Sequence, residues 1–325
     1  MAQEQSRPTT LERTLGLKDL VLLMIGTVIG SGIFIVPAVV LRQTGGSVTV
    51  AMLVWLAGGI LSLLGALTYG ELSAANPRAG GLYIFIRDGF GSLPAFLYGW
   101  TLFFVISSGS VATLAVAFSS YLSKIVSLSA MTAKFAAVAM ILVVTIVNVL
   151  GTRKSANLQD WTTVIKVAAI LLMSAVLILL GRGFSGNPSP IPADMSFTSL
   201  VSGVGLAMIG VLWAYEGWQY ITFSAGETKN AQRNFPRALS IGSAALIAIY
   251  LLANVAYLAA LGQSKAAQTD SIAASAAAAV AGPAASKLVA LAILVSIFGA
   301  TNGLTLTAPR VYYAMARDGL FFHRL

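Results

Sequence analysis

The chain has 325 residues, of which 57% are hydrophobic and 10% charged, with a formal net charge of +9, no cysteine and a single histidine. A soluble domain carries roughly 25% charged residues, so this composition excludes one and points to a polytopic membrane protein. Disulfides, thiolate nucleophiles and Cys-ligated metals are excluded outright, and the basic residues stand singly between apolar runs, not in the stripe that nucleic acid requires.

Residues 1–16 are polar and read as a tail. The first apolar span, 18–40, is too long and too glycine-interrupted for a cleaved leader and is read as a retained membrane helix. It places Gly26, Gly30, Ser31 and Gly32 inside an otherwise apolar run, Leu20 to Phe34. Further runs of about 20 residues, the length that crosses a bilayer, follow at 48–74, 94–123, 133–151, 158–181, 199–225, 237–262 and 287–309. Between the second and third, Asn76–Gly91 mixes charges with aromatics and suits an interfacial turn and helix. The fifth span carries Lys166, five residues beyond Trp161. That offset is about 7.5 Å of helix, a depth over which a lysine can still snorkel. The sixth span holds Trp213-Ala-Tyr-Glu-Gly-Trp218, with Glu216 and Gly217 at a depth comparable to the glycines of the first. The Ala/Ser-rich stretch 263–286 predicts short helices over the outer surface, and Phe321–Leu325, with the lone His323, reads as the start of an inner loop.

With the N-terminus inside, thirteen Lys/Arg fall on inner segments and six on outer ones, Lys166 lying within a helix. The positive-inside rule favours this orientation. Breaking a membrane helix frees backbone groups at a cost of several kcal/mol each unless they face a polar cavity. Two such breaks in corresponding spans are the pattern of a transporter site. Small residues also let helices pack closely, which alone would account for Gly26 and Gly30; the second break is what favours a site. Trp218 reads as packing, Glu71 and Arg78 as gate or loop contacts. Glu216, this deep, must be paired, protonated or wetted, and a structural role is ranked first. No nucleophile–base or metal constellation is present, so an enzyme is disfavoured and no cofactor is called for.

Gly26-Thr-Val-Ile-Gly-Ser-Gly-Ile-Phe34, Tyr69-Gly-Glu-Leu-Ser-Ala-Ala-Asn-Pro-Arg-Ala-Gly-Gly-Leu-Tyr83, Trp213–Trp218 with Gly226-Glu-Thr-Lys-Asn230 and Asn234-Phe-Pro-Arg237, and Ala316-Arg-Asp-Gly319 resemble the amino acid–polyamine–organocation (APC) superfamily of permeases, in particular its L-type amino acid transporter branch. The resemblance implies an all-α integral membrane protein with a LeuT-like inverted-repeat transporter fold, helices 1 and 6 broken, and about 8 of an expected 12 membrane helices present. It divides the chain into a cytoplasmic tail (1–16), a first five-helix repeat (17–182) and a partial second repeat (183–325). The expected activity is transport of amino acids, neutral L-amino acids foremost, by alternating access, as an exchanger or proton-coupled permease of the plasma membrane; a non-transporting sensor or an inactive permease fragment is the alternative. The implied substrate contacts are Ile29, Gly30, Ser31, Gly32 and Ile33, the carboxylate meeting backbone N–H groups around Gly30, Ser31 and Gly32, with the ammonium at carbonyls near Ile29 and around Trp213, Ala214 and Glu216. Lys166 would stand in for a structural cation and tie helix 5 to the break. Expected partners are the amino acid and the lipid bilayer; homo-oligomers and an accessory subunit are left open.

Overall fold

A backbone polar group in hydrocarbon has no water to bond, so a chain this apolar must pair its backbone within each segment. The computed structural model describes residues 11–183 and 196–322; residues 1–10, 184–195 and the predicted inner-loop residues from His323 onward lie outside them. Among the described residues every regular element is a helix, apart from one isolated parallel bridge between Leu15 and Thr228.

The first predicted span is two helices. α1 (Leu17–Val28, 12 residues) is separated from α2 (Val36–Gln43, 8 residues) by an extended residue, Ile29, and a 3-10 turn at Gly32–Phe34. Neither half is long enough to cross a bilayer alone. α3 (Val48–Ala75) is capped by Ser47, whose Oγ accepts from the Val50 N–H at 3.4 Å. The interfacial α4 (Leu82–Phe90) turns through Gly91 (φ 95°) into α5 (Ser92–Thr101), a π-helical turn (Leu102–Ser107) and α6 (Ser108–Ser123). α7 spans Ala130–Val149 and α8 Thr152–Leu180. α8 begins six residues before the predicted start at 158, because its polar first turns point inward with Ser155 and Gln159 fully buried. α9 (Phe197–Tyr215) stops at Glu216 and Gly217 and continues as a 3-10 helix, Trp218–Glu227. α10 (Ala231–Gln268) runs past the predicted end at 262, with its kink at Gly262 (φ 71°). α11 (Ile272–Ala281) is the short helix anticipated in the loop, and α12 (Pro283–Thr307) leads into α13 (Pro309–Arg317).

Seven of the described helical stretches are long and apolar enough to cross a membrane, the broken first segment not being among them. Their outer faces suit lipid: Leu172 is 69% exposed and Leu179 79%, on the α8 face opposite buried Lys166 and Ser174. An apolar surface of that extent would aggregate in water. α10 lies along α3 and packs on α1 and α8, and α12 packs on α1 and α8 in turn. At the centre Trp55 packs edge-on against Tyr250 at 5.6 Å and Tyr215 at 5.8 Å.

One end of the bundle is tied by buried charge. Glu227 accepts from Arg310 Nε at 2.7 Å and Nη2 at 2.9 Å, and from Thr152 Oγ1 at 2.9 Å. Its backbone carbonyl takes the N–H groups of Thr14 (2.9 Å) and Leu15 (3.0 Å), fastening the N-terminal segment to the same point. Removing one partner of a buried pair strands the other charge, which costs about 3 kcal/mol or more. Glu227→Ala should therefore lower unfolding stability in detergent by about that much. Asp270→Ala, removing a carboxylate 3.9 Å from Arg42 and fully exposed, should leave it unchanged.

Candidate functional site at two broken helices

The break in the first segment exposes carbonyls that a continuous helix would have used. Ile29 N–H still reaches Ile25 O at 2.9 Å, but Gly30 N–H turns back to Val28 O at 2.9 Å, leaving Gly26 O without its helical donor. Lys166 fills the gap. Its Nζ donates to Gly26 O (2.8 Å), Ile29 O (2.9 Å) and Ser296 O on α12 (3.0 Å). An ammonium has three N–H donors, and here all three are used, with the side chain only 1% exposed. Lys166 thus reaches no interface. Ser296 Oγ completes the set, lying 2.8 Å from Ile29 O and 3.0 Å from Gly30 O.

The second break is built on glycine. Glu216 is extended (ψ 147°) and Gly217 has φ 121°, a conformation that an L side chain pays for in steric strain. A Cβ on Gly217 would also lie 3.3 Å from the Thr27 carbonyl, and one on Gly32 would lie 3.2 Å from Ala214 Cα. The breaks therefore touch twice through backbone. Tyr250 bridges them a third time: its hydroxyl is 3.0 Å from Ala214 O and 3.4 Å from Val28 O.

Between the breaks lies a cavity of about 370 Å³, walled also by α6 and α12. Six sequence-predicted residues line it: Gly30, Ser31, Gly32, Trp213, Ala214 and Glu216. Ile29 and Ile33 do not; both side chains are fully buried elsewhere, and Ile29 O already holds two donors. The Ile29 carbonyl, expected to meet an ammonium, is thus engaged by Lys166 and Ser296. A Cβ at Gly30 would meet nothing within 4 Å, whereas one at Gly26 would strike Gln159 and Thr163 of α8. The two glycines of one motif have different jobs, Gly26 packing and Gly30 opening on the cavity. The N–H groups of Ser31, Gly32 and Ile33 find no acceptor among the described residues. Of these three adjacent unpaired donors, Ser31 and Gly32 lie on the cavity wall, and successive free N–H groups of this kind suit an anion.

Glu216 accepts from Gln219 Nε2 at 2.5 Å, while Gln219 Oε1 accepts the Gly217 N–H at 3.2 Å, so the carboxylate is tied to the break through one side chain. Trp218 packs edge-on against Tyr69 at 5.1 Å. Arg78 pairs with Asp88 at 2.5 Å, and Glu71 is exposed; neither lines the cavity. Sequence reasoning missed Ser296 and Tyr250, and also a buried amide cluster beside the break. In it Asn302 Nδ2 donates to Gln159 Oε1 (3.0 Å), and Asn302 Oδ1 accepts from Asn148 (3.0 Å) and Ser155 (3.1 Å). Polar side chains within apolar spans are the signal that marks them. Among the described residues no group of His, Cys, Asp and Glu could hold a metal ion.

Two alanine substitutions separate strain from ordinary helix propensity. Gly217→Ala should cost about 1–2 kcal/mol or more, from positive φ and the Thr27 contact. Gly205→Ala, in the middle of α9 with nothing within 4 Å of its Cβ, should stabilise by about 0.5–1 kcal/mol. Thermal unfolding of both purified variants reads the difference; equal shifts would show that Gly217 carries no strain.

The match of the chain to known proteins covers nearly its whole length. Residues 15–325 fit the family model of amino acid permeases. The chain is 34% identical to the b(0,+)-type amino acid transporter 1 of Mus musculus over 320 residues, covering 96% of this chain and 64% of the transporter. It is 33% identical to the serine/threonine exchanger SteT of Bacillus subtilis, covering 94% of this chain and 68% of that protein. The large neutral amino acids transporter small subunit 2 of Mus musculus is 31% identical, covering 95% of this chain and 59% of that protein, in line with the L-type resemblance of the motifs. The chain thus spans 64% of the length of the mouse b(0,+)-type relative, just under two thirds. These relatives are amino acid transporters by name, not enzymes. With its broken helices, apolar spans and matched motifs, the chain belongs to the amino acid permease family.

Proposed function

We propose that this protein is a multi-pass transporter of amino acids, working by alternating access as an exchanger on neutral L-amino acids. The observation that carries the reading is the run of unpaired N–H groups at Ser31, Gly32 and Ile33, the first two on the wall of a cavity that the second break also lines. The carboxylate sits on these donors. The ammonium faces the helix 6 side, at the Trp213 and Ala214 backbone and the Glu216 carboxylate, where half-helix ends supply partial negative charge. Trp213, 56% exposed and beside Gly32, is placed to close over the ligand. The names of the relatives, which include a serine/threonine exchanger, support amino acid exchange.

In this reading α1–α8 form a first five-helix repeat, residues 17–182, and residues 183–325 begin a second, inverted one in a LeuT-like fold, eight membrane helices of an expected twelve. The N-terminus is cytoplasmic, as the distribution of Lys and Arg supports, and the membrane is the plasma membrane. Lys166 acts on the conformational cycle: it holds the α1 end to α8 and α12, so its charge matters to how the break moves and not to the ligand directly.

The test is exchange of labelled amino acids in proteoliposomes. Gly30→Val should weaken binding about 100-fold or more while the protein stays monodisperse, because its side chain fills the open space over the carboxylate site. Normal binding in that variant would overturn the site. Lys166→Ala should slow exchange at least about tenfold with less than a threefold change in equilibrium binding; unchanged exchange would remove it from the cycle. Glu216→Gln keeps both hydrogen-bonding oxygen and size, so counterflow and its pH profile should survive. A flattened pH profile would make Glu216 the carrier of a coupling proton.

A further inference from the structure

A second cavity, of about 390 Å³, opens at the end of the bundle where the N-terminal segment is fastened. Its walls come from five separate stretches of chain: the N-terminal segment at Arg13, the Pro77–Ala79 turn with Arg78, α4 with Arg87, the 3-10 helix at Gly226, and the end of α13 with Arg317. Four guanidiniums line it against one carboxylate, Asp318. That carboxylate is already spent. Asp318 Oδ2 accepts from Arg87 Nη1 at 2.5 Å and from the Tyr83 hydroxyl at 2.8 Å. The nearby Asp88, outside the cavity wall, is taken by Arg78 at 2.5 Å and Arg87 at 3.1 Å. Arg13 and Arg317 have no carboxylate partner among the described residues.

We propose that this cavity is a binding site for a phosphate-bearing anion, gripped by Arg13 and Arg317 and rimmed by Arg78 and Arg87. The guanidinium fork matches phosphate oxygens two at a time, and several forks converging on one concavity suit a multivalent anion. A monocarboxylate could satisfy only one fork and would leave the excess charge standing. The placement also gives the anion something to do. Thr14 and Leu15, next to Arg13, are bonded to Glu227 O. An anion shared by Arg13 and Arg317 ties that segment to α13 across the cavity and so stabilises the fastened arrangement of this end. On the transport reading the bound anion would therefore restrain the cycle; its binding does not depend on that reading.

Phosphate chemistry can arrive here from a dissolved polyphosphate or from the headgroup of an anionic lipid, since α4 beside the cavity ends in Phe90, 79% exposed. The experiment separates them. The purified chain in phosphatidylcholine nanodiscs is titrated with inorganic tripolyphosphate at constant ionic strength, and its melting temperature is followed. A second set of discs contains phosphatidylinositol 4-phosphate and no free polyphosphate. The Arg13→Gln/Arg317→Gln pair should need about tenfold more anion for half-saturation, or lose the effect. Arg317→Lys, which keeps the charge but not the fork, should fall between. Lys124→Gln/Lys134→Gln, removing two other exposed cations, should behave as wild type. Saturable stabilisation by tripolyphosphate that the arginine pair abolishes supports a soluble anion; stabilisation by the lipid alone, abolished by the same pair, supports a headgroup. No stabilisation from either source, or an equal effect in wild type and the arginine pair, overturns the proposal. Should the double variant fail to fold, Arg317→Lys alone decides: binding unchanged from wild type overturns it.

Discussion

Everything at the centre of this molecule follows from one arrangement, a buried ammonium holding open the end of a broken helix. Once α1 stops at Val28, its last carbonyls need donors in a region with little water, and each one left unpaired costs about 1–3 kcal/mol. Lys166 meets two of them and Ser296 O as well, from the middle of α8. The end of α1 also carries the negative pole of its dipole, where a cation is favoured. Burying a lone charge is expensive, and the three carbonyl contacts with the dipole are what offset it here. The arrangement binds α1, α8 and α12 at a single atom.

With the carbonyl side of the break satisfied internally, the donor side is left over. This asymmetry is what distinguishes the break from a mere kink. The N–H groups at Ser31, Gly32 and Ile33 stay available because the acceptors nearby are already taken by Lys166, Ser296 and Tyr250. The second break sits close enough for Gly217 and Gly32 to touch the opposite backbone. Motion of either half must therefore be felt by the other, and any ligand between them contacts both.

The sequence revealed the apolar spans through hydropathy and both breaks through glycine and charge in apolar runs, since composition along the chain carries those signals directly. Six of its eight candidate residues line the cavity and the side chains of Ile29 and Ile33 do not, because direction about a broken axis is not periodic. Gly26 and Gly30 look interchangeable in the motif, yet one faces α8 and the other the cavity. The acceptors of Lys166 lie 140, 137 and 130 residues away and are backbone carbonyls, which every residue possesses and no residue type advertises. Arg310 was legible only as one of the inner cations; its pairing with Glu227, across 83 residues, is a product of the fold.

The central claim is that free backbone N–H groups at the first break hold the carboxylate of a zwitterion. Competition against a labelled neutral amino acid, bound to the purified protein, tests it directly by setting the free amino acid beside its carboxamide, which keeps the side chain and the ammonium but not the negative charge. Loss of a charge-assisted contact to several donors should weaken the carboxamide about 100-fold or more. A carboxamide that competes as well as the amino acid would contradict the account.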